Sequence, residues 1–139
     1  MNAVNATFRS RWLPFLALAL LAACGRSPTD VLHAIDDAAR AGDDARFASF
    51  FTEDSAPFAR ALLSVYRTQA PGGAQPSKPL DVLTASIVVS ERVDGARAFL
   101  TVKTGEATTT TSTLVFVKDG NGDWKLDIHQ TEKANSGRE

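Results

Sequence analysis

Few side chains in this sequence of 139 residues could carry out chemistry, and they are far apart. Its one cysteine is Cys24, so the sequence offers neither a disulfide within itself nor a cysteine-based zinc site. Its two histidines are His33 and His129. A thiol, imidazole, phenol or carboxyl group becomes a nucleophile, acid or base only where a helix or strand holds it in a suitable site. The elements around each candidate therefore decide its role.

The histidines and one tyrosine can be placed on predicted elements. His33 follows Val31 by two residues, roughly 200° around a helix, so we expect it at the surface. Asp127 and His129 alternate on the polar face of the last predicted strand, where they form either a dyad or part of a solvated face. Tyr66 flanks the apolar stripe of the third predicted helix and is the candidate polar group in a cavity.

No motif in the sequence indicates a metal or a cofactor. Acidic pairs such as Asp36-Asp37 lack the Asp-x-Asp-x-Asp-Gly spacing of a calcium loop. No glycine-rich phosphate loop follows a predicted strand, and no Ser/His/Asp set is placed by a motif. We therefore expect no metal, no cofactor and no catalytic residue, and the sequence favours a non-enzymatic role.

Residues 1–23 have the three parts of an export signal. Arg9 and Arg11 form a basic start, an apolar run follows at 12–20, and small residues come last at Ala22-Ala23. The run is about ten residues long, whereas a helix needs roughly 20 to cross the hydrocarbon layer of a bilayer. The segment is therefore predicted to be a signal peptide that is removed.

The end of this segment, Leu21-Ala22-Ala23-Cys24, resembles the lipobox of bacterial lipoproteins. The resemblance implies cleavage between Ala23 and Cys24 and attachment of lipid to the cysteine sulfur. Two or three acyl chains hold a protein firmly on a membrane, since each buried methylene adds about 0.8 kcal/mol. Gly25 follows, and the absence of an acidic residue there resembles the enterobacterial lipoproteins that are forwarded to the outer membrane, which implies a location on the outer membrane facing the periplasm.

The charge of the processed chain argues against nucleic acid as a partner. Removing Arg9 and Arg11 from the 15 basic residues leaves 13, against 16 acidic residues. A mildly acidic domain is repelled by phosphate backbones, so we expect no nucleic-acid partner. The expected partners are the membrane, through the lipid on Cys24, and either an envelope protein or a small apolar ligand.

The first half of the processed chain has helical periodicity. Ser27-Pro28-Thr29-Asp30 predicts a capped helix start and Gly42 a helix end. Asp43 can cap a second helix, and a third is predicted after Ser55. The predicted core-facing residues are Val31, Leu32, Ile35, Ala38 and Ala39 in the first helix, Phe47, Phe50 and Phe51 in the second, and Phe58, Leu62, Val65 and Tyr66 in the third.

The second half alternates with the period of two that is typical of strands. Residues 71–79 separate the halves and, with three prolines and two glycines, are expected to lack regular structure. Four strands joined by turns at Gly95, Gly105-Glu106 and 119–122 predict an antiparallel meander. The predicted core-facing residues are Leu83, Ala85, Ile87 and Val89, then Ala96, Ala98, Leu100 and Val102, and finally Trp124, Leu126 and Ile128, with a strand from about Ala107 to Lys118 before the last group.

These patterns predict an α+β fold with two to three N-terminal helices packed on one face of a curved four-stranded antiparallel sheet. The domain boundaries are 1–23 for the signal peptide, 24–27 for the lipidated N-terminus, 28–130 for the domain and 131–139 for a disordered tail. Four segments of the domain carry a resemblance to a known family: Ser-Pro-Thr-Asp-Val-Leu at 27–32, Ala-Gly-Asp at 41–43, Phe-Ala-Ser-Phe-Phe at 47–51 and Asn-Gly-Asp-Trp-Lys-Leu-Asp at 121–127. They resemble segments of small bacterial lipoproteins with the nuclear transport factor 2-like (cystatin-like cone) fold.

The resemblance supports a fold much more than an activity. Enzymes with this fold place an Asp, Tyr or His in the cavity between helices and sheet, yet the predicted inner faces of the strands carry no ionisable residue. We therefore expect a lipid-anchored, non-enzymatic binding or accessory domain of the cell envelope. Two alternatives remain: a protein that binds or converts a small apolar ligand inside the cone, and a periplasmic immunity lipoprotein that neutralises a toxin.

Overall fold

The computed structural model describes residues 25–69, 78–104 and 110–137. The predictions made for 1–24, namely the signal peptide, the cleavage site after Ala23 and the lipid on Cys24, lie outside these residues, as does the turn predicted at Gly105-Glu106. The elements are, in chain order, α1 (Pro28–Ala41), α2 (Asp44–Ser49), α3 (Ala56–Gln69), α4 (Lys78–Thr84), β1 (Ile87–Asp94), β2 (Arg97–Thr104), β3 (Thr110–Lys118), β4 (Trp124–Leu126) and α5 (Ile128–Asn135).

The architecture is α+β, which confirms the predicted fold class. The strands form one curved, open antiparallel sheet in the order β1-β2-β3-β4. Helices precede the sheet and pack against it, since buried residues of α1 and α2 share one core with those of β2, β3 and β4. The sheet buries one face against helices, as expected for an antiparallel sheet of this class.

Helix α1 begins and ends where the sequence predicts. Ser27 Oγ accepts a hydrogen bond from the backbone N–H of Asp30 at 3.1 Å, and Asp30 Oδ2 accepts one from the backbone N–H of Ser27 at 3.0 Å, which completes a capping box. Gly42 ends the helix at φ 71°, a left-handed conformation that glycine adopts without strain. All five residues of the predicted apolar stripe are buried.

Helix α2 supplies aromatic side chains to the core. Asp43 caps it by accepting from the backbone N–H of Arg46 at 3.0 Å. Phe47, Phe50 and Phe51 are all buried, and the ring centroids of Phe47 and Phe51 lie 5.0 Å apart. All three belong to the core, as predicted, although α2 ends at Ser49 and Phe50 and Phe51 directly follow it.

Helix α3 is present, but the predicted core-facing side is wrong. Its buried residues are Ala59 and Leu63, whereas Phe58 is 45% exposed and Val65 is 42% exposed. Leu62 is half-buried. The small side chain of Ala59 allows the helix to pack closely, so the residues with larger side chains at the predicted positions are turned outward.

Strand β1 begins later than predicted. Residues 78–84 form α4, with Pro79 in its first turn, where the missing N–H is tolerated. Leu83 is thus a buried helical residue. In β1 the predicted inner residue Ile87 is 74% exposed, while Val88 packs against the core opposite Val102. A bulge between Val88 and Ser90 shifts the register and breaks the simple alternation.

The inner face of β2 and the last turn agree with the prediction. Ala98, Leu100 and Val102 are buried, whereas Ala96 lies in the turn and is exposed. Leu114 and Phe116 of β3 pair with Leu100 and Ala98 and are also buried. The turn at 119–123 brings Trp124 and Leu126 onto the same inner face, where both are buried.

The C-terminal end differs most from the sequence prediction. Strand β4 ends at Leu126, and Asp127 caps α5 by accepting from the backbone N–H of Gln130 at 3.0 Å. The residues expected to form a disordered tail are helical as far as Asn135. Asp127-x-x-Gln130 is a helix-start pattern that the strand alternation concealed. Among the residues described, no helix combines the length and the apolar character needed to cross a bilayer.

Candidate functional site: an apolar groove

A groove opens between the helices and the concave face of the sheet, next to the core. It has a free volume of about 250 Å³ and is open to solvent on one side. Its walls come from α3, α4 and α5 and its floor from β3 and β4. The lining residues are Phe58, Leu62, Val82, Leu83, Ser112, Leu114, Leu126, Ile128, Thr131, Glu132 and Asn135.

The outward face of α3 extends this groove. Phe58 and Leu62 line it, and Val65 lies one further turn along the same side of the helix. Phe58 and Val65 are both exposed, although Ile87, Val89 and Val93 of β1 are more exposed. The groove is therefore continuous with an exposed apolar stripe, here called the α3 stripe: Phe58, Leu62 and Val65.

The floor of the groove is apolar. Leu114 and Leu126 are both buried and come from strands that pair with each other. Phe47 and Phe51 belong to the same core as these two leucines. An apolar floor next to an open wall suits the binding of an apolar group.

The polar side chains of the groove come mainly from α5. Asn135 Oδ1 accepts from the backbone N–H of Thr113 at 2.9 Å, and Thr131 Oγ1 accepts from that of Val115 at 2.9 Å. Both side chains are thus engaged in holding α5 against β3. Glu132 is the single titratable side chain in the described lining, and it is exposed. This lining can bury apolar surface and offer a carboxylate at its rim.

The sequence candidates for chemistry do not assemble in the groove. The proposed Asp127–His129 dyad is wrong, because Asp127 bonds to Gln130 at the start of α5 and His129 is an exposed helical residue. His33 is exposed on α1, as expected. Tyr66 belongs to α3, but its side chain lies outside the described part of the structure. The groove residues of α4 and α5 were missed because both helices were expected to be strand, loop or tail.

Two carboxyl groups outside the groove have lowered pKa values. For Asp30 the main cause is the hydrogen bond from the backbone N–H of Ser27 in the capping box. For Asp119 it is the hydrogen bond from the backbone N–H of Asp123, followed by that from Asn121 and the charge of Lys125. Each carboxylate stabilises a helix end or a turn, so these pKa shifts have structural explanations.

A second hollow lies at the end of the molecule where the described chain begins. Gly25 and Arg26 border it together with Phe50 and the start of β4, around a free volume of about 320 Å³. Lys125 Nζ donates to the carbonyl oxygen of Ser49 at 2.7 Å across its base. This surface is more polar than the groove and is bounded by the turn between β3 and β4.

Neither the search for a metal site among the described residues nor the comparison with known proteins assigns a function to this chain. In the portions that the structure describes, no three His, Cys, Asp or Glu residues are grouped so that they could hold a metal ion. No protein-family model matches the chain, and comparison with curated proteins and with solved structures finds no match.

Proposed function

We propose that this protein is a lipid-anchored binding domain of the cell envelope, whose groove receives a bulky apolar side chain of an envelope protein. The observation that carries the proposal is the groove with its continuous α3 stripe. Exposed apolar surface beside a concave apolar site marks an interaction surface. The lipid anchor is supported by the pattern Leu21-Ala22-Ala23-Cys24 after an export signal.

The size of the groove favours a side chain over an enclosed small molecule. Its volume of about 250 Å³ is below the range of roughly 300 to 1,000 Å³ typical of small-molecule sites. Val65 lies beyond the groove, and Phe58, which lines it, is 45% exposed, so an enclosed ligand of that size would leave both partly exposed. A protein surface, with one residue inserted in the groove and its neighbours on the α3 stripe, covers both.

Site-specific photocrosslinking in intact cells tests the proposal. The full chain carries a photoreactive amino acid at Leu62, which lines the groove, or at Arg60, which is exposed two residues away on the same helix. We expect one discrete protein adduct from position 62 and none from position 60. A Cys24→Ala form should lose both the anchor and the adduct, since it leaves the membrane.

The adducts also separate the alternatives. A low-mass apolar adduct at position 62, without a protein adduct, supports the small-ligand function and contradicts the proposed protein partner. A protein adduct in which the crosslinked partner is a secreted toxin supports the immunity function. The absence of any adduct at position 62, in cells where the protein is present and membrane-bound, refutes the groove as a binding site.

A further inference from the structure

We propose that one end of the domain rests on the phospholipid headgroups, so that the groove extends from this end into the aqueous compartment. This end, called the anchor end, is formed by Gly25, Arg26 and the turn between β3 and β4 at 119–123. The inference rests on the proposed lipid at Cys24 and adds the orientation of the domain and the surface that touches the membrane.

The tether between lipid and domain is very short. Only Gly25 and Arg26 separate Cys24 from Ser27, the N-cap of α1. Three residue steps of at most about 3.6 Å place the Ser27 Cα within about 11 Å of the Cys24 Cα. Ser27 is itself fixed by the capping box, and the next residue but one, Thr29, donates through its backbone N–H to Glu91 at 3.1 Å. The helix start therefore cannot lengthen the tether without losing these bonds.

The turn between β3 and β4 lies beside this tether. Gly25 and Arg26 share one hollow with Gly122 and Asp123. The turn is tightly built, because Asp119 Oδ1 accepts from the backbone N–H groups of Asn121 at 2.9 Å and of Asp123 at 3.0 Å. A lipid on Cys24 thus brings the same turn to the headgroup layer.

The charges of the anchor end are compatible with phosphate headgroups. Asp119 and Lys125 offset each other, their charged atoms being 3.7 Å apart. Arg26 is exposed, and the ammonium of Lys118 lies 5.0 Å from the centroid of the Trp124 ring. With Asp123 and the exposed Asp30 of the capping box counted against these two cations, the charges balance, so the tether length sets the orientation and the surface charge does not oppose it.

The groove begins near this end and extends away from it along β3. Leu126, which lines the groove, directly follows Lys125, which borders the hollow at the anchor end. Ser112 lines the far part of the groove, and six residues of strand at about 3.3 Å each separate it from Lys118 by about 20 Å. In this orientation the far part of the groove therefore lies on the aqueous side of the headgroups.

Depth-dependent fluorescence quenching on vesicles tests the orientation. The full chain is produced in its processed, lipidated form and reconstituted in vesicles of phosphatidylethanolamine and phosphatidylglycerol that carry a headgroup quencher. Because Cys24 is the one native cysteine and is blocked by lipid in the proposal, a single new thiol can be labelled in Asn121→Cys or in Lys103→Cys. Asn121 is in the turn, and Lys103 is exposed opposite Thr111, at the other end of the sheet.

We expect quenching several-fold stronger at position 121 than at position 103. Equal quenching at both positions, in a protein that floats with the vesicles, overturns the orientation and leaves the anchor intact. Stronger quenching at position 103 also overturns it. If the unsubstituted chain fails to float and behaves like Cys24→Ala, the proposed lipid attachment fails and the orientation fails with it.

Discussion

At the scale of single residues, two adjacent leucines of α3 differ in role: one belongs to the core and the other to the proposed binding groove. Leu63 is 1% exposed and belongs to the core, whereas Leu62 is half-buried and lines the groove. We expect Leu63→Ala to lower the free energy of unfolding by about 2 to 5 kcal/mol, since it leaves a cavity. Leu62→Ala should lower it by about 1 kcal/mol or less.

Photocrosslinking to the partner should show the opposite order, with a larger effect of Leu62→Ala than of Leu63→Ala. With the photoreactive group moved to Phe58, Leu62→Ala is expected to abolish the adduct, because the wall of the groove is truncated. Leu63→Ala should retain the adduct at temperatures where the protein is folded. Unfolding can be followed through Trp124, the one tryptophan that remains once residues 1–23 are removed. Equal stability losses in the two variants would contradict the assignment of the two faces of α3.

The lowered pKa of Asp119 predicts how the stability of the protein depends on pH. Its pKa is lowered from the ordinary value of 3.8 by the hydrogen bond from Asp123, so folding favours the charged form. The stabilisation is present above pH 4 and is lost as pH falls through the lowered pKa. We expect Asp119→Asn to lower Tm near neutral pH and to approach the Tm of the unsubstituted protein under acid conditions.

A matched control separates this effect from loss of a negative charge alone. Glu53 is an exposed acid in the connection from α2 to α3, so Glu53→Gln removes one charge without touching the turn. Its effect on Tm near neutral pH should be smaller than that of Asp119→Asn. A constant difference in Tm between Asp119→Asn and the unsubstituted protein down to the lowest pH would show that the carboxylate charge does not support the turn.

At the scale of elements, α5 completes the sheet. Strand β4 has three residues, so among the described residues no strand lies beside the outer edge of β3 around Thr113 and Val115. Asn135 accepts from the backbone N–H of Thr113 and donates to its carbonyl oxygen at 2.8 Å, and Thr131 accepts from the N–H of Val115. Side chains one helical turn apart thus replace a strand and cover an edge that would otherwise pair with other chains.

This arrangement predicts that Asn135 is a stabilising residue. Asn135→Ala leaves the N–H and carbonyl of Thr113 without these partners, so we expect a loss of about 1 to 3 kcal/mol in the free energy of unfolding. Amide hydrogen exchange at Thr113 should accelerate more than exchange in β2. Lys133→Ala, an exposed position of the same helix, serves as the control and should change neither quantity. Unchanged exchange at Thr113 in Asn135→Ala would contradict the role of α5 as an edge cover.

The elements also show what the sequence can and cannot predict. Helix α1 was predicted in full because its capping box, its apolar stripe and Gly42 are local signals that agree. Helix α3 carries two apolar stripes, Ala59 with Leu63 and Phe58 with Leu62. The sequence does not show which stripe faces the core, because packing in the folded protein decides it. A bulge in β1 and a helix start at Asp127 interrupt the alternation that predicted longer strands. The groove was missed for the same reason, since two of its walls are the helices α4 and α5.

At the scale of the whole molecule, the two proposals assign partner binding to the groove and membrane contact to the anchor end. The two surfaces have different lining residues and come together at β4, where Lys125 borders the anchor end and Leu126 the groove. In the proposed orientation, the short tether of Gly25 and Arg26 couples the domain to the membrane. The arrangement predicts that orientation and partner binding can be changed independently.

Lengthening the tether tests this independence. We expect 16 glycine and serine residues inserted between Arg26 and Ser27 to span about 20 to 24 Å on average, which frees the anchor end from the headgroups. Quenching at a label on position 121 should then fall to the level at position 103, while flotation with the vesicles is retained. The adduct at Leu62 should persist if the partner reaches the groove from the aqueous side. Its loss, with anchoring and stability unchanged, would show that the partner requires the domain to be held close to the membrane.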